Sequence, residues 1–166
     1  AHGVAFLVGV KNVPPWRILA VTFTNKAAGE MRERIIALVG ADDGRKVEMG
    51  TFHALCARIL RRDGATIGLS PRFVIYDADD QQSLMKQVFR DLDLPIQGGP
   101  LRPRTVLEAI SRAKNNLETV EDLAEGATTH GEREVARIAT RYAERLRAAG
   151  ALDFDDLLVE TVRLLE

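Results

Sequence analysis

With 166 residues, 46% of them hydrophobic, the chain is long enough to bury the core of an ordinary globular domain and too apolar for a disordered segment. Its formal net charge of -1 excludes the overall basic character that usually accompanies nucleic-acid binding, so any such contact must come from local patches. A single cysteine, Cys56, excludes an internal disulfide, and its apolar setting reads as a small buried hydrophobe in a protein of the reducing cytoplasm.

The opening run from Ala1 to Val10 has no basic leading region or small-residue cleavage site, and it is too short to span a bilayer. It predicts the second half of a helix whose start lies outside the chain. The other terminus, 157–166, stops while still in helical periodicity, so both ends read as cut. Val13-Pro14-Pro15-Trp16 breaks the first helix, and the continuous apolar run over 17–23 predicts a buried parallel strand. A helix follows over 25–39, with Ala28, Met31, Ile35 and Leu38 on its apolar face and Glu30, Arg32, Glu33 and Arg34 toward solvent. Residues 40–45 read as a turn, 46–50 as a second strand and 51–62 as a second helix. Helix and strand alternating with crossover connections imply a parallel sheet.

Residues 73–76 predict a third strand, after which the strand signal disappears and everything downstream reads as helical. Asp77 caps a helix over 78–92, Pro103 opens one over 103–115, and Thr129-His130-Gly131-Glu132 is a capping box for a helix reaching Ala149. Asp153 caps the last helix. The prolines and paired glycines of 94–102 mark the one clear linker-like loop.

No Gly-x-x-x-x-Gly-Lys-Ser/Thr occurs, so a phosphate-binding P-loop is absent from these residues. Phe73-Val74-Ile75-Tyr76-Asp77 has the form of a metal-binding acidic strand end, but Asp77 has sufficient work as a helix N-cap. There is no Cys/His metal spacing and no nucleophile–base pair, so no catalytic and no metal-binding residue is expected in the chain.

Three features point to nucleic acid. Thr22-Phe23-Thr24-Asn25 carries a strand into a helix N-terminus, where free backbone N–H groups and the helix dipole favour phosphate, and Phe23 can stack on an unpaired base. Gly50-Thr51-Phe52-His53 repeats that arrangement, with Thr51 and His53 as phosphate donors and Phe52 packing beneath or stacking; a structural histidine is the alternative there. Arg133, Arg137, Arg141 and Arg145 form a ladder at four-residue spacing that can follow a phosphate backbone, or can be a solvated face partnered by Glu134 and Glu144.

The stretch 16–35, with Thr22-Phe23-Thr24-Asn25-Lys26-Ala27-Ala28 and Glu30-Met31, resembles the motif after the P-loop in the UvrD/PcrA/Rep superfamily 1 DNA helicases. Gly50-Thr51-Phe52-His53 with Arg58-Ile59-Leu60-Arg61-Arg62, then Ala113-Lys114-Asn115-Asn116, then Leu152-Asp153-Phe154-Asp155-Asp156-Leu157-Leu158 reinforce it in the same order. The resemblance implies a mostly helical α/β fragment: a partial parallel RecA-like sheet of the P-loop NTPase type with an all-helical insert. Residues 1–77 then belong to the first RecA-like domain (1A), 78–150 to the helical insert subdomain (1B), and 151–166 to the return helix into domain 1A.

It further implies that Phe23 contacts a base, with Thr22, Thr24 and Asn25 around it, and that Thr51, Phe52 and His53 form a second single-strand contact. The insert approaches duplex DNA, which gives the arginine ladder a role at duplex or phosphate. The implied parent is a cytoplasmic ATP-dependent 3′-to-5′ helicase of DNA repair and related pathways, working with ATP and Mg²⁺ on single-stranded DNA and ss/ds junctions. The fragment itself is expected to bind neither cofactor, to hydrolyse no ATP, to avoid membranes, and to self-associate through exposed sheet edges. The alternatives are a non-catalytic α/β DNA- or protein-binding module and part of a RecB/AddA-like helicase-nuclease.

Overall fold

Two short parallel strands, β1 (Leu19–Thr22) and β2 (Glu48–Thr51), organise the first part of the chain, pairing in a register that sets Leu19 opposite Glu48 and Thr22 opposite Thr51. The computed structural model describes residues 1–166 and divides into two units, Ala1–Arg58 and Ile59–Glu166.

In the first unit, α1 (His2–Gly9) precedes β1, α2 (Asn25–Val39) crosses from β1 toward β2, and a single turn, α3 (Ala41–Gly44), completes the connection. Ile18, Ile35, Val47 and Met49 are the buried core, with Val4, Val8, Met31 and Val39 packed against it. Residues 40–45, expected as a turn, thus contain a short helix. Its Gly44 is fixed by close packing, since a Cβ there would stand 2.7 Å from Ile36 Cγ1 and 2.8 Å from Ile36 Cα. Leu38, expected on the apolar face of α2, is 47% exposed, and Val39 packs on the core instead. Gly44 of α3 packs closely on Ile36, one of the partly covered residues in the last turns of α2, whereas Leu38 stays exposed. Arg32 anchors the helix to the sheet by donating from Nη2 to the Met49 carbonyl at 3.3 Å.

The helix α4 (Phe52–Asp63) follows β2 without a break, and the division between units falls within it. In the second unit, β3 (Val74–Tyr76) pairs in parallel with β4 (Ala151–Asp153), Tyr76 standing opposite Asp153. β4 corrects the expectation that no strand follows residue 76. Three residues wedged between helices carry no alternation, and their pairing comes from β3, far away in sequence. Gly150, in the left-handed region at φ 59°, turns the chain out of α8 (His130–Ala148) into that strand, and its carbonyl accepts from Val74 N at 2.9 Å.

Between β3 and β4 the chain is helical: α5 (Ala78–Asp91), α6 (Pro103–Asn115), a short α7 (Val120–Glu125) and α8, with α9 (Phe154–Leu165) after β4. Leu84, Met85, Val88 and Phe89 of α5 meet Val106 and Ile110 of α6 and Ile138, Ala139, Tyr142 and Leu146 of α8 in one core. The caps expected at Asp77, Thr129 and Asp153 are all present as reciprocal capping boxes, with Asp80, Glu132 and Asp156 as the respective partners. α7 has a further box, Thr119 with Asp122. Asp77 Oδ1 accepts from the amides of Asp79 and Asp80 at 3.0 and 2.9 Å, so Asp77→Ala is expected to cost about 1 kcal/mol of stability. Urea unfolding checks this; an unchanged midpoint would show that the cap contributes nothing. No helix is long and apolar enough to cross a membrane.

Candidate nucleic-acid interface

Register brings the two Thr-Phe turns together. Because Thr22 and Thr51 are paired, Phe23 and Phe52 leave neighbouring strand ends side by side, and their ring centroids lie 5.5 Å apart with planes tilted by 41°. Phe23 is 87% exposed, the most exposed large apolar side chain of the chain, whereas Phe52 is 42% exposed. Exposing a phenylalanine to this degree forfeits roughly 2 kcal/mol of burial, which a fold-stabilising role does not explain.

Hydroxyls set the backbone of each turn. Thr22 Oγ1 donates to the Thr24 carbonyl at 3.0 Å, and Thr24 Oγ1 caps α2 by accepting from Ala27 N at 3.1 Å. The amides of Asn25 and Lys26, in the first turn of α2, face the strand end with the positive pole of the helix dipole behind them. In the second turn Thr51 Oγ1 accepts from Ala54 N at 3.2 Å, and His53 is half-buried in the first turn of α4. Thr22, Phe23, Thr24, Asn25, Thr51, Phe52 and His53 therefore gather at the C-terminal edge of one parallel strand pair, where open α/β sheets bind ligands.

In the second unit the arginine ladder lies on α8 opposite Ile138, Ala139, Tyr142 and Leu146, but its guanidinium groups are occupied. Arg133 Nη1 donates to the Thr128 carbonyl at 2.8 Å and Arg137 Nε to Glu134 at 3.1 Å. Arg141 pairs with Glu144 at 2.9 Å and with Asp91 of α5 at 3.3 Å; Arg145 forms a bidentate pair with the same Asp91, at 2.8 and 2.7 Å. The hydrogen bond from Arg145, opposed by a smaller desolvation effect, holds the Asp91 carboxyl below its usual range. Glu134 and Glu144 are the partners that spacing predicts; Asp91 lies 50 and 54 residues from its arginines and has no local signature. Ion pairs at the solvent boundary are screened by water and salt and hold their partners only weakly.

A buried polar cluster has no counterpart among the sequence-based expectations. Lys114 Nζ of α6 lies 2.6 Å from Asp153 Oδ2 and 2.6 Å from Asp156 Oδ1, and Tyr142 of α8 donates its hydroxyl to Asp153 Oδ2 at 3.2 Å. The side chains of Lys114, Asp153 and Asp156 are only 15%, 4% and 18% exposed. Burial opposes the charge on Lys114, but the two carboxylates outweigh it and raise its pKa. Burial pushes Asp156 up to about 6 despite the nearby ammonium, and burial with the Asp153 carboxylate raises the Tyr142 phenol far above its ordinary value. The cluster joins α6, α8, β4 and α9, and no buried side-chain polar atom lacks a partner. Ala-Lys-Asn-Asn and Leu-Asp-Phe-Asp-Asp are visible as motifs, but nothing in them shows that they meet.

A family model described as the UvrD/REP helicase N-terminal domain matches residues 1–166. The chain is 48% identical over 165 residues to the ATP-dependent DNA helicase PcrA of Leuconostoc citreum, covering 99% of this chain and 22% of that protein. To the PcrA of Staphylococcus aureus it is 43% identical over 165 residues, with the same shares covered. To the ATP-dependent DNA helicase UvrD1 of Mycobacterium bovis it is 47% identical over 167 residues, covering 98% of this chain and 21% of the relative. The chain thus spans about a fifth of the length of these curated relatives.

Proposed function

Since this chain belongs to the UvrD/REP helicase N-terminal domain family, we propose that its role is to grip single-stranded DNA at the C-terminal edge of β1 and β2. The observation carrying this reading is the pair of in-register Thr-Phe turns with Phe23 held out at 87% exposure. In it Phe23 stacks on a base, Thr22, Thr24 and Asn25 surround the adjoining phosphate, and Thr51, Phe52 and His53 make the second contact along the strand.

The whole protein, on this reading, is a cytoplasmic DNA-repair helicase that steps 3′-to-5′ along single-stranded DNA with ATP and Mg²⁺ and separates strands at ss/ds junctions. Residues 1–77 and 151–166 are its contribution to domain 1A, and 78–150 form the helical insert 1B. The parallel pairing of β3 with β4 supports that division, because it brings the two ends of the insert together. Without a P-loop in its sequence, the 166-residue chain is expected to release no phosphate from ATP; turnover abolished by chelating Mg²⁺ would contradict this. β1 and β2 form a two-stranded sheet, and self-association through their outer edges belongs to the same reading.

The ladder Arg133, Arg137, Arg141 and Arg145 is assigned to duplex phosphates. Its test is the salt dependence of binding to a 3′-tailed duplex. The Arg137→Ala/Arg141→Ala double variant is expected to flatten the log–log slope by about one to two, at about 0.9 for each phosphate that is no longer neutralised. An unchanged slope would leave the ladder as a solvated, internally paired face.

A further inference from the structure

An aromatic ring on a turn is a poor stacking platform when it is free to rotate, because docking a base must then also freeze its rotamers. Phe23 is in that position by exposure alone: at 87% it has almost no packing of its own. Its ring neighbour is Phe52, at a centroid distance of 5.5 Å that lies in the range of favourable aromatic pairs and at a tilt of 41°, between stacked and edge-to-face. Phe52 is itself held more firmly. It is the first residue of α4, continuous with β2, on a turn pinned by the Thr51 hydroxyl, and more than half of it is covered.

We propose that Phe23 and Phe52 act as one two-ring platform in which Phe52 is a positioning residue: it fixes the Phe23 ring and leaves the outer face of that ring to receive an unpaired base. This rests on the single-strand-binding reading above and changes one role in it: Phe52 supports the Phe23 ring in place of a strand contact of its own, and the second contact is left to Thr51 and His53. The ligand chemistry is a nucleobase π-face, without preference for a particular base, because nothing on either ring reads a hydrogen-bonding edge.

The test uses two labelled probes, a short oligothymidylate and an oligomer of abasic deoxyribose phosphates with the same charge. Phe52→Leu keeps apolar volume and removes the ring. It is expected to weaken oligothymidylate binding about two- to tenfold, the range of one aromatic pair, and to leave the abasic oligomer unaffected. Phe52→Tyr restores binding, and in a Phe23→Ala background Phe52→Leu adds nothing further. Full additivity of the two substitutions, or equal weakening on both probes, would overturn the positioning role. If Phe23→Ala itself changes nothing while the wild type binds, the underlying stacking reading fails instead and takes the platform with it. Circular dichroism of each variant separates these results from misfolding.

Discussion

Lys114→Met is expected to destabilise the chain by about 3–5 kcal/mol, because it removes the one cation from a buried pair of carboxylates while keeping most of the side-chain volume. In the wild type the ammonium lies 2.6 Å from both Asp153 and Asp156, and both carboxylates are largely covered, at 4% and 18% exposure. In the variant the two carboxyl groups face each other without a cation in a largely buried site. By contrast, Asp156→Asn should cost far less, since it leaves one ammonium to one carboxylate and its amide oxygen can still accept from Asp153 N, as the carboxylate does at 3.1 Å. Urea titration of both variants checks the ranking; a Lys114→Met loss below about 1 kcal/mol would show that the cluster is not electrostatically tight.

The pH dependence has a definite sign. Burial sets the folded pKa of Asp156 at about 6, above its ordinary value of 3.8, so the folded state binds the extra proton and this group adds stability as pH falls from about 6 toward 4. Glu132 acts in the opposite sense. Hydrogen bonds from the Thr129 and Thr128 amides and hydroxyls lower it to about 2, so its contribution is present above about 4.5 and is lost as pH falls toward 2. The raised Lys114 contributes fully below its unfolded value of 10.5 and loses that contribution only as pH rises through its folded pKa. The Lys114→Met deficit should therefore shrink between pH 7.5 and 5, as Asp156 takes up a proton. A deficit that grows in acid would contradict this assignment.

Phe23→Ala carries the largest expected effect on binding. Stacking one base on an aromatic side chain contributes about 1–3 kcal/mol, so the variant should bind single-stranded DNA roughly 5- to 150-fold more weakly. Folding stability should barely move, because a ring that is 87% exposed contributes little to the core. This separation of binding from stability distinguishes a ligand-facing aromatic from a packed one. A joint loss of both would place Phe23 among the structural residues.

Local signals in the sequence translate well into local structure. Asp77, Thr129 and Asp153 are recognisable as caps because a short acceptor followed three residues later by an acid is a one-turn pattern, and all three form reciprocal boxes. The strands β1 and β3 are legible as apolar or β-branched runs bounded by turns and β2 as a short segment between two turns, but β1 is not the buried strand expected over 17–23, since none of its four residues is buried and Leu19 is 49% exposed. β4 is not, because Ala-Leu-Asp becomes a strand only when β3 lies beside it. Leu38 fits the period of α2 but not the packing of α3, which no periodicity within α2 can report.

The candidate sites divide in the same way. Thr22, Phe23, Thr51 and Phe52 are visible as two separate turns, whereas their side-by-side placement needs the β1–β2 register. The ladder is legible as spacing, but its neutralisation by Asp91 is a contact between distant helices. Lys114 and Asp153 are 39 residues apart, and their meeting depends on the packing of α6 against α9.

The measurement that bears most directly on the DNA grip is fluorescence anisotropy of a labelled 3′-tailed duplex titrated with the wild-type chain and with Phe23→Ala, at low and at moderate salt. Binding is expected to weaken with salt, with a clear loss in the variant at every salt concentration. Equal affinities for the two proteins, or no binding by the wild type even at low salt, would contradict a DNA grip at the β1–β2 edge.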